Sequence, residues 1–302
     1  MKVIKITPQG YCYGVVRAIN IVKNAAKIET KPIYVLGDIV HNKLVSKSLE
    51  NLHVITIEAK EEKRLDLLDQ INCGTVIFTA HGVSPLVIEK AKEKNLNIID
   101  ATCPEVTNTQ NQIKKYLSMG YKIIFIGKKN HPEAEACIDI DRENTIFISS
   151  IDDINENEYV DNKYFIAYQS TLNTDDTKKI SDKLDMLLKN KIFTNQHQVC
   201  DATFSRQQAV KELTDVDFLI VVGDENSNNS NKLVEISNVA AQRILSVNEL
   251  NLEKFKNYKK IAITSGASTP TQLTKHIIKF FENFDYSDKK TWEYTEFTNS
   301  VV

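Results

Sequence analysis

Three cysteines, Cys12, Cys103 and Cys200, stand 91 and 97 residues apart in the segments Gly10-Tyr11-Cys12-Tyr13-Gly14, Asp100-Ala101-Thr102-Cys103-Pro104 and Cys200-Asp201-Ala202-Thr203. Near-equal spacing, on the scale of a small α/β unit, predicts a threefold internal repeat that brings one thiolate per repeat to a shared centre. Three thiolates with no fourth matching cysteine describe a metal centre with one open coordination position, whereas a structural site is normally closed by four ligands. A tetrahedral zinc fits that count. Cysteines on separate units, without C-x-x-C knuckles, more naturally hold the corners of a larger object such as a 4Fe-4S cluster with one iron not bound by protein. For one isolated cysteine, inert packing is the ordinary reading. The shared phase lifts these three above it, and Cys73 and Cys137, out of phase, are assigned to packing.

Two further series run in the same phase. Gly37 is followed four residues later by His41, Gly127 by His131 and Gly223 by Ser227, at intervals of 90 and 96 residues. The segments Thr79-Ala80-His81-Gly82-Val83-Ser84, Gln169-Ser170-Thr171-Leu172-Asn173 and Gly266-Ala267-Ser268-Thr269-Pro270, anchored on His81, Thr171 and Ser268, recur at 90 and 97. Imidazoles, hydroxyls and amides, together with backbone N–H groups at helix N-termini, bind a phosphate or diphosphate without lysine. His41, His81, His131, Ser170, Thr171, Ser227, Asn229 and Ser268 form that set, while His53, His197 and His276 lie outside the repeat and are read as ordinary surface or core residues. Glu133, two residues past His131, is either a helix-start carboxylate facing the dipole or, if shielded from water, a proton donor. The run Asn226-Ser227-Asn228-Asn229-Ser230-Asn231 reads as an anion-binding turn entering a helix at Lys232, against the plainer reading of a polar low-complexity loop.

The elements that must position these residues follow from the hydrophobic pattern. Strand-like β-branched runs at 32–36, 75–79, 122–126, 164–168, 218–222 and 261–264 alternate with helix-like stretches at 85–94, 105–118, 174–189 and 271–281. Such alternation indicates α/β units with mostly parallel sheets, whose ligands gather beyond the carboxyl ends of the strands. At 302 residues the chain exceeds the length at which single cores split. The phase predicts a three-lobed, pseudo-threefold arrangement around a central site: a first lobe at 14–103, a second at 104–199, a third at 200–284 plus 1–13, and a C-terminal tail at 285–302. A formal net charge of -2 calls for neither nucleic acid nor an anionic membrane, and no apolar run approaches the ~18 residues of a membrane span. Five widely spaced cysteines suit a reducing, cytoplasmic setting.

At these motifs the chain resembles the LytB/IspH family, the 4-hydroxy-3-methylbut-2-enyl diphosphate reductases of isoprenoid synthesis. The resemblance runs from about residue 4 to about residue 284 and rests on the cysteine segments, Val40-His41-Asn42, Ala80-His81-Gly82-Val83-Ser84, His131-Pro132-Glu133, Gln169-Ser170-Thr171-Leu172, Asn226-Ser227-Asn228-Asn229-Ser230 and Gly266-Ala267-Ser268. It implies a 4Fe-4S cluster on Cys12, Cys103 and Cys200, and two-electron reductive dehydroxylation of an allylic diphosphate to isopentenyl and dimethylallyl diphosphate. It further implies Glu133 as proton source assisted by His131 and Ser170, a diphosphate held by His41, His81, Ser227, Asn228, Asn229 and Ser268, and an external electron donor of ferredoxin or flavodoxin type. Ser170 stands where many members carry threonine, Asn228 where serine is also common, and Phe204-Ser205 where the pattern is usually more polar.

Two other classes compete. An iron-sulfur sensor or electron carrier has no need of the anion-binding loops, and a zinc-dependent phosphate-ester hydrolase predicts zinc and no visible absorption.

Overall fold

The computed structural model describes residues 1–57, 63–155, 159, 162–193, 199–298, 300 and 301; His197 lies outside them. In chain order the elements are β1 (Lys2–Lys5), α1 (Tyr13–Ile28), β2 (Ile33–Leu36), α2 (Lys43–Glu50), β3 (Val54–Ile57), α3 (Arg64–Leu67), β4 (Thr75–Phe78), α4 (Pro85–Glu93), β5 (Asn97–Asp100) and α5 (Pro104–Ser118). They continue with β6 (Lys122–Ile126), α6 (Pro132–Ile138), β7 (Thr145–Ile148), β8 (Lys163–Tyr168), α7 (Thr174–Leu187), β9 (Asn190–Phe193), α8 (Asp201–Lys211), β10 (Phe218–Val222), α9 (Asn228–Glu235), β11 (Ala241–Ile244), β12 (Lys260–Ser265) and α10 (Thr271–Asn283).

The strands form three four-stranded sheets, ordered β3-β2-β4-β5, β7-β6-β8-β9 and β11-β10-β12-β1, with every pair parallel. The three orders are one pattern: the first strand of each set lies between the second and the third, and a fourth flanks the third. In the last set the chain's own N-terminal strand, β1, takes that fourth place. The apolar runs are explained by this arrangement, because parallel strands covered on both faces carry side chains that are all buried. Residues 123–126, 165–168 and 219–222 are buried throughout. Helices α4, α5 and α6 each open on a proline, whose missing N–H costs nothing in the first turn.

The chain divides into two compact units. The larger contains Gly14–Val40 and Leu49–Cys200, and with them the sheets β3-β2-β4-β5 and β7-β6-β8-β9; the smaller contains Met1–Tyr13, His41–Ser48 and Asp201–Val302, with the third sheet. In the smaller unit α10 buries Leu273, Ile277, Ile278 and Phe281 against the sheet core. The stretch after it is not a loose end: Trp292, Tyr294 and Phe297 pack on the same core, and His276 Nε2 lies 2.8 Å from Thr295 O. No helix among the described residues is long and apolar enough to cross a membrane.

Two readings are corrected. Cys73 is exposed and does no packing, while Cys137 is fully buried. The helix expected from Lys232 begins four residues earlier, at Asn228, because the Ser227 side chain caps it by accepting from Ser230 N at 3.3 Å; the capping serine sat inside a run of asparagines and serines that reads as loop.

Candidate functional site

In the larger unit a buried carboxyl and a hydroxyl are brought together where α6 meets the end of β8. His131 is the N-cap of α6, and its Nδ1 accepts from Glu133 N at 3.1 Å, so the neutral ring carries its hydrogen on Nε2. The cap turns Glu133 inward, where it is only 2% exposed. There Ser170 N donates to Glu133 Oε1 at 2.7 Å, and Ser170 Oγ donates to Oε2 at 2.8 Å. Burial drives the Glu133 carboxyl up to about 7, against the opposing pull of the two Ser170 hydrogen bonds. Glu133 thus stands in the first turn of α6, as a helix-start carboxylate does, and is also shielded from water, as a proton donor must be.

The same unit holds His81, Cys103, Thr171 and Cys200. His81 lies in the loop after β4, and its ring meets that of His131 edge-on, with centroids 5.5 Å apart. Cys103 stands at the N-cap position of α5, its N–H donating to Ala80 O at 3.0 Å, and Arg17 Nη1 donates to the preceding Thr102 O at 2.9 Å. Cys200 N donates to Ser170 O at 3.1 Å, so the third cysteine is tied to the residue that holds Glu133. Thr171 Oγ1 accepts from Gln169 Nε2 at 3.1 Å, and Gln169 Oε1 accepts from Lys128 N at 2.8 Å, which joins two strand-end loops.

In the smaller unit the loops after β10 and β12 interlock. Ser268 Oγ donates to His41 O at 3.0 Å and lies 3.3 Å from Ser227 Oγ; Asn229 Oδ1 accepts from Ala267 N at 3.0 Å, and Cys12 N donates to Ala267 O at 2.9 Å. Asn228 is buried beside Asn229 in the first turn of α9. His41, Ser227, Asn228, Asn229 and Ser268 are thus one hydroxyl- and amide-rich cluster with Cys12 attached to its rim.

All three cysteines share one local setting. Each is half-buried and immediately precedes a helix: Cys12 before α1, Cys103 before α5, Cys200 before α8. A helix N-terminus favours negative charge, which suits the thiolates that an iron-sulfur cluster requires. Cys137 is the contrast, since burial, and then the nearby Glu133 charge, push its thiol well up. The donor set fits a cluster.

Two residues that shape these loops, Ser230 and Asp224, are not marked out by the sequence. Ser230 fills the space against Gly223 and Gly266, where an added Cβ would meet its Oγ at 2.2 and 2.0 Å, and its hydroxyl lies 2.9 Å from Ser227 Oγ. Buried Asp224 accepts from Lys43 N at 2.9 Å and anchors the His41 loop. Ser230 stands inside a quoted motif, which was the available signal; for Asp224 nothing in the sequence marks burial.

The sequence model of the LytB protein family matches residues 3–282. A 4-hydroxy-3-methylbut-2-enyl diphosphate reductase of Geobacillus sp. (strain WCH70) is 45% identical over 300 residues, covering 97% of this chain and 94% of the relative, and the reductase of Bacillus cereus (strain AH820) is 45% identical over 301 residues. Among solved structures, the E-1-hydroxy-2-methyl-but-2-enyl-4-diphosphate reductase of Plasmodium falciparum superposes with a TM-score of 0.84 at 36% identity, covering 93% of this chain and 88% of that one. A second, (E)-4-hydroxy-3-methyl-but-2-enyl diphosphate reductase, described as the terminal enzyme of the non-mevalonate pathway, gives 0.65 at 29% identity, covering 94% of this chain and all of that one.

Proposed function

The chain belongs to the LytB protein family, and from that membership and its own site chemistry we propose that it reduces 4-hydroxy-3-methylbut-2-enyl diphosphate to isopentenyl and dimethylallyl diphosphate. The observation that carries the reading is the Glu133–Ser170 pair, a buried carboxyl near neutrality with a hydroxyl 2.8 Å away. The reaction consumes two electrons and two protons: the C–O bond breaks, the hydroxyl leaves as water with one proton, and the allylic carbon framework takes the other.

Cys12, Cys103 and Cys200 would hold a 4Fe-4S cluster with one iron not bound by protein, which supplies electrons singly and Lewis acidity at the substrate hydroxyl. The protein's own task is orientation and proton supply. With its carboxyl at about 7, Glu133 is about half protonated at neutral pH, and the Ser170 hydroxyl can accept from the acid form while donating onward, so the pair relays a proton to the substrate side. His131, with its hydrogen on Nε2, offers a second donor fixed by the cap. His41, His81, Thr171, Ser227, Asn228, Asn229 and Ser268 would bind the diphosphate. The electron donor is a ferredoxin- or flavodoxin-type carrier in the cytoplasm.

The test is anaerobic. Purified protein should show iron, acid-labile sulfide and visible absorption, and once reduced it should convert the hydroxymethylbutenyl diphosphate to the two products. A colourless zinc protein, or a reduced cluster that leaves this diphosphate untouched, refutes the reading.

A further inference from the structure

Arg64, the first residue of α3, is 93% removed from solvent, a costly place for a charge unless it is fully engaged. Its guanidinium reaches the loop after β4. Nη1 donates to Gly82 O and Nη2 to Thr79 Oγ1 at 2.8 Å, so the fork grips both sides of His81. The backbone of the neighbouring loop is shaped to admit it: Gly37 has φ +91°, and a Cβ there would stand 3.1 Å from Arg64 Nη2. The glycine recognised in the sequence only as a repeat marker therefore has a second reason to lack a side chain.

A second brace acts on the same loop from α5. Gln110 Nε2 donates to Val83 O and to Ala136 O, both at 3.2 Å, linking the residue after Gly82 to the helix that carries Glu133. Arg64 also reaches that helix by charge, opposing the rise that burial imposes on Glu135. The His81 loop is thus held on one side by a guanidinium fork and on the other by an amide shared with α6.

We propose that Arg64 is a positioning residue for diphosphate binding: by gripping Thr79 and Gly82 it fixes the backbone that presents His81 toward His131. Its part is played through the loop that it grips. The inference rests on the reading of His81 as a diphosphate ligand. Because the diphosphate is remote from the breaking C–O bond, weakening its grip removes binding shared by ground and transition states, which raises KM and spares kcat.

The experiment compares wild type, Arg64→Lys, Thr79→Val and His81→Asn, each with its cluster loaded, by steady-state kinetics and by competition with inorganic pyrophosphate. Lysine keeps the charge but cannot reproduce the fork; Thr79→Val removes one acceptor and leaves Arg64 in place. Arg64→Lys should raise KM and the pyrophosphate inhibition constant roughly tenfold, with kcat within about threefold, and Thr79→Val should do the same more mildly. In the His81→Asn background, Arg64→Lys should add little, since both act through one contact. Losses in kcat with KM unchanged in both variants, or a full additional KM increase on top of His81→Asn, overturn the proposal. If wild type itself neither turns over nor responds to pyrophosphate, it is the functional reading that fails.

Discussion

A carboxyl group that is 2% exposed and sits near neutrality reverses the usual effect of pH on a glutamate. Its ordinary value is 4.5 and its value in the fold is about 7, so between those limits the native state keeps a proton that the unfolded chain has lost. Stability therefore falls as pH rises through that window, and the penalty, on the order of 3 kcal/mol, is complete above about 7. Glu133→Gln removes the titration: the variant should gain on wild type in thermal midpoint between pH 5 and pH 8, and a constant difference across that range would contradict the assignment. The same change should cut turnover by about two to four orders of magnitude while leaving cluster content and pyrophosphate binding intact, as removal of a proton donor does. Ser170→Ala tests the relay from the other side. Its hydroxyl stabilises the ionised carboxylate, so losing it lets Glu133 hold its proton to higher pH, and the alkaline limb of kcat against pH should move upward as the maximum falls. An alkaline limb that stays in place or moves down would show that Ser170 does not act on Glu133.

At the scale of elements, the loops after β10 and β12 are set by a close approach that only glycine allows. Ser230, on α9, occupies the volume that a side chain at Gly223 or Gly266 would need, and its hydroxyl reaches Ser227. Gly223→Ala forces an overlap of Cβ with Oγ, an overpacking of about 1–3 kcal/mol. The expected result is a lower denaturation midpoint, partly restored when Ser230→Gly is added to open the space; no loss in the single variant would mean that α9 shifts freely. The element boundaries show where sequence patterns carry and where they fail. Strands such as β6, β8 and β10 were legible because burial on both faces makes their apolar runs continuous, and α4 and α5 were legible because a proline opens each. Helix α9 was misplaced by four residues because its cap and first turn are made of residues that also favour loops. Cys73 was misread for a related reason: a cysteine's type says nothing about which way its backbone turns it.

At the scale of the whole chain, the phase of three cysteines and two loop series was enough to anticipate three α/β sets, and the sheets share one strand order, with β1 completing the last. Arg64 and Asp224, which no sequence pattern marks, are buried charges whose partners are far away in sequence or are backbone atoms. No local pattern encodes such partners. The segment after residue 284 was equally silent, open to covering a core or hanging away from it. In the fold its aromatic rings close over the α10 face: Trp292 lies 5.4 Å from Phe284, Tyr294 5.4 Å from Phe280, and Phe297 5.7 Å from His276. Beyond them Val301 N donates to Ser48 Oγ, and Tyr11 Oη, next to Cys12, donates to Val301 O, each at 3.3 Å. Ending the chain at Phe284 would return these rings' partners to water, and three partly buried aromatics account for roughly 3 kcal/mol of transfer free energy. We expect the truncated protein to lose on the order of 6–12 °C in thermal midpoint, while its far-UV circular dichroism stays near that of the full chain because no sheet strand is removed. A midpoint within about a degree of the full chain would mean that the aromatic cover adds nothing to the fold.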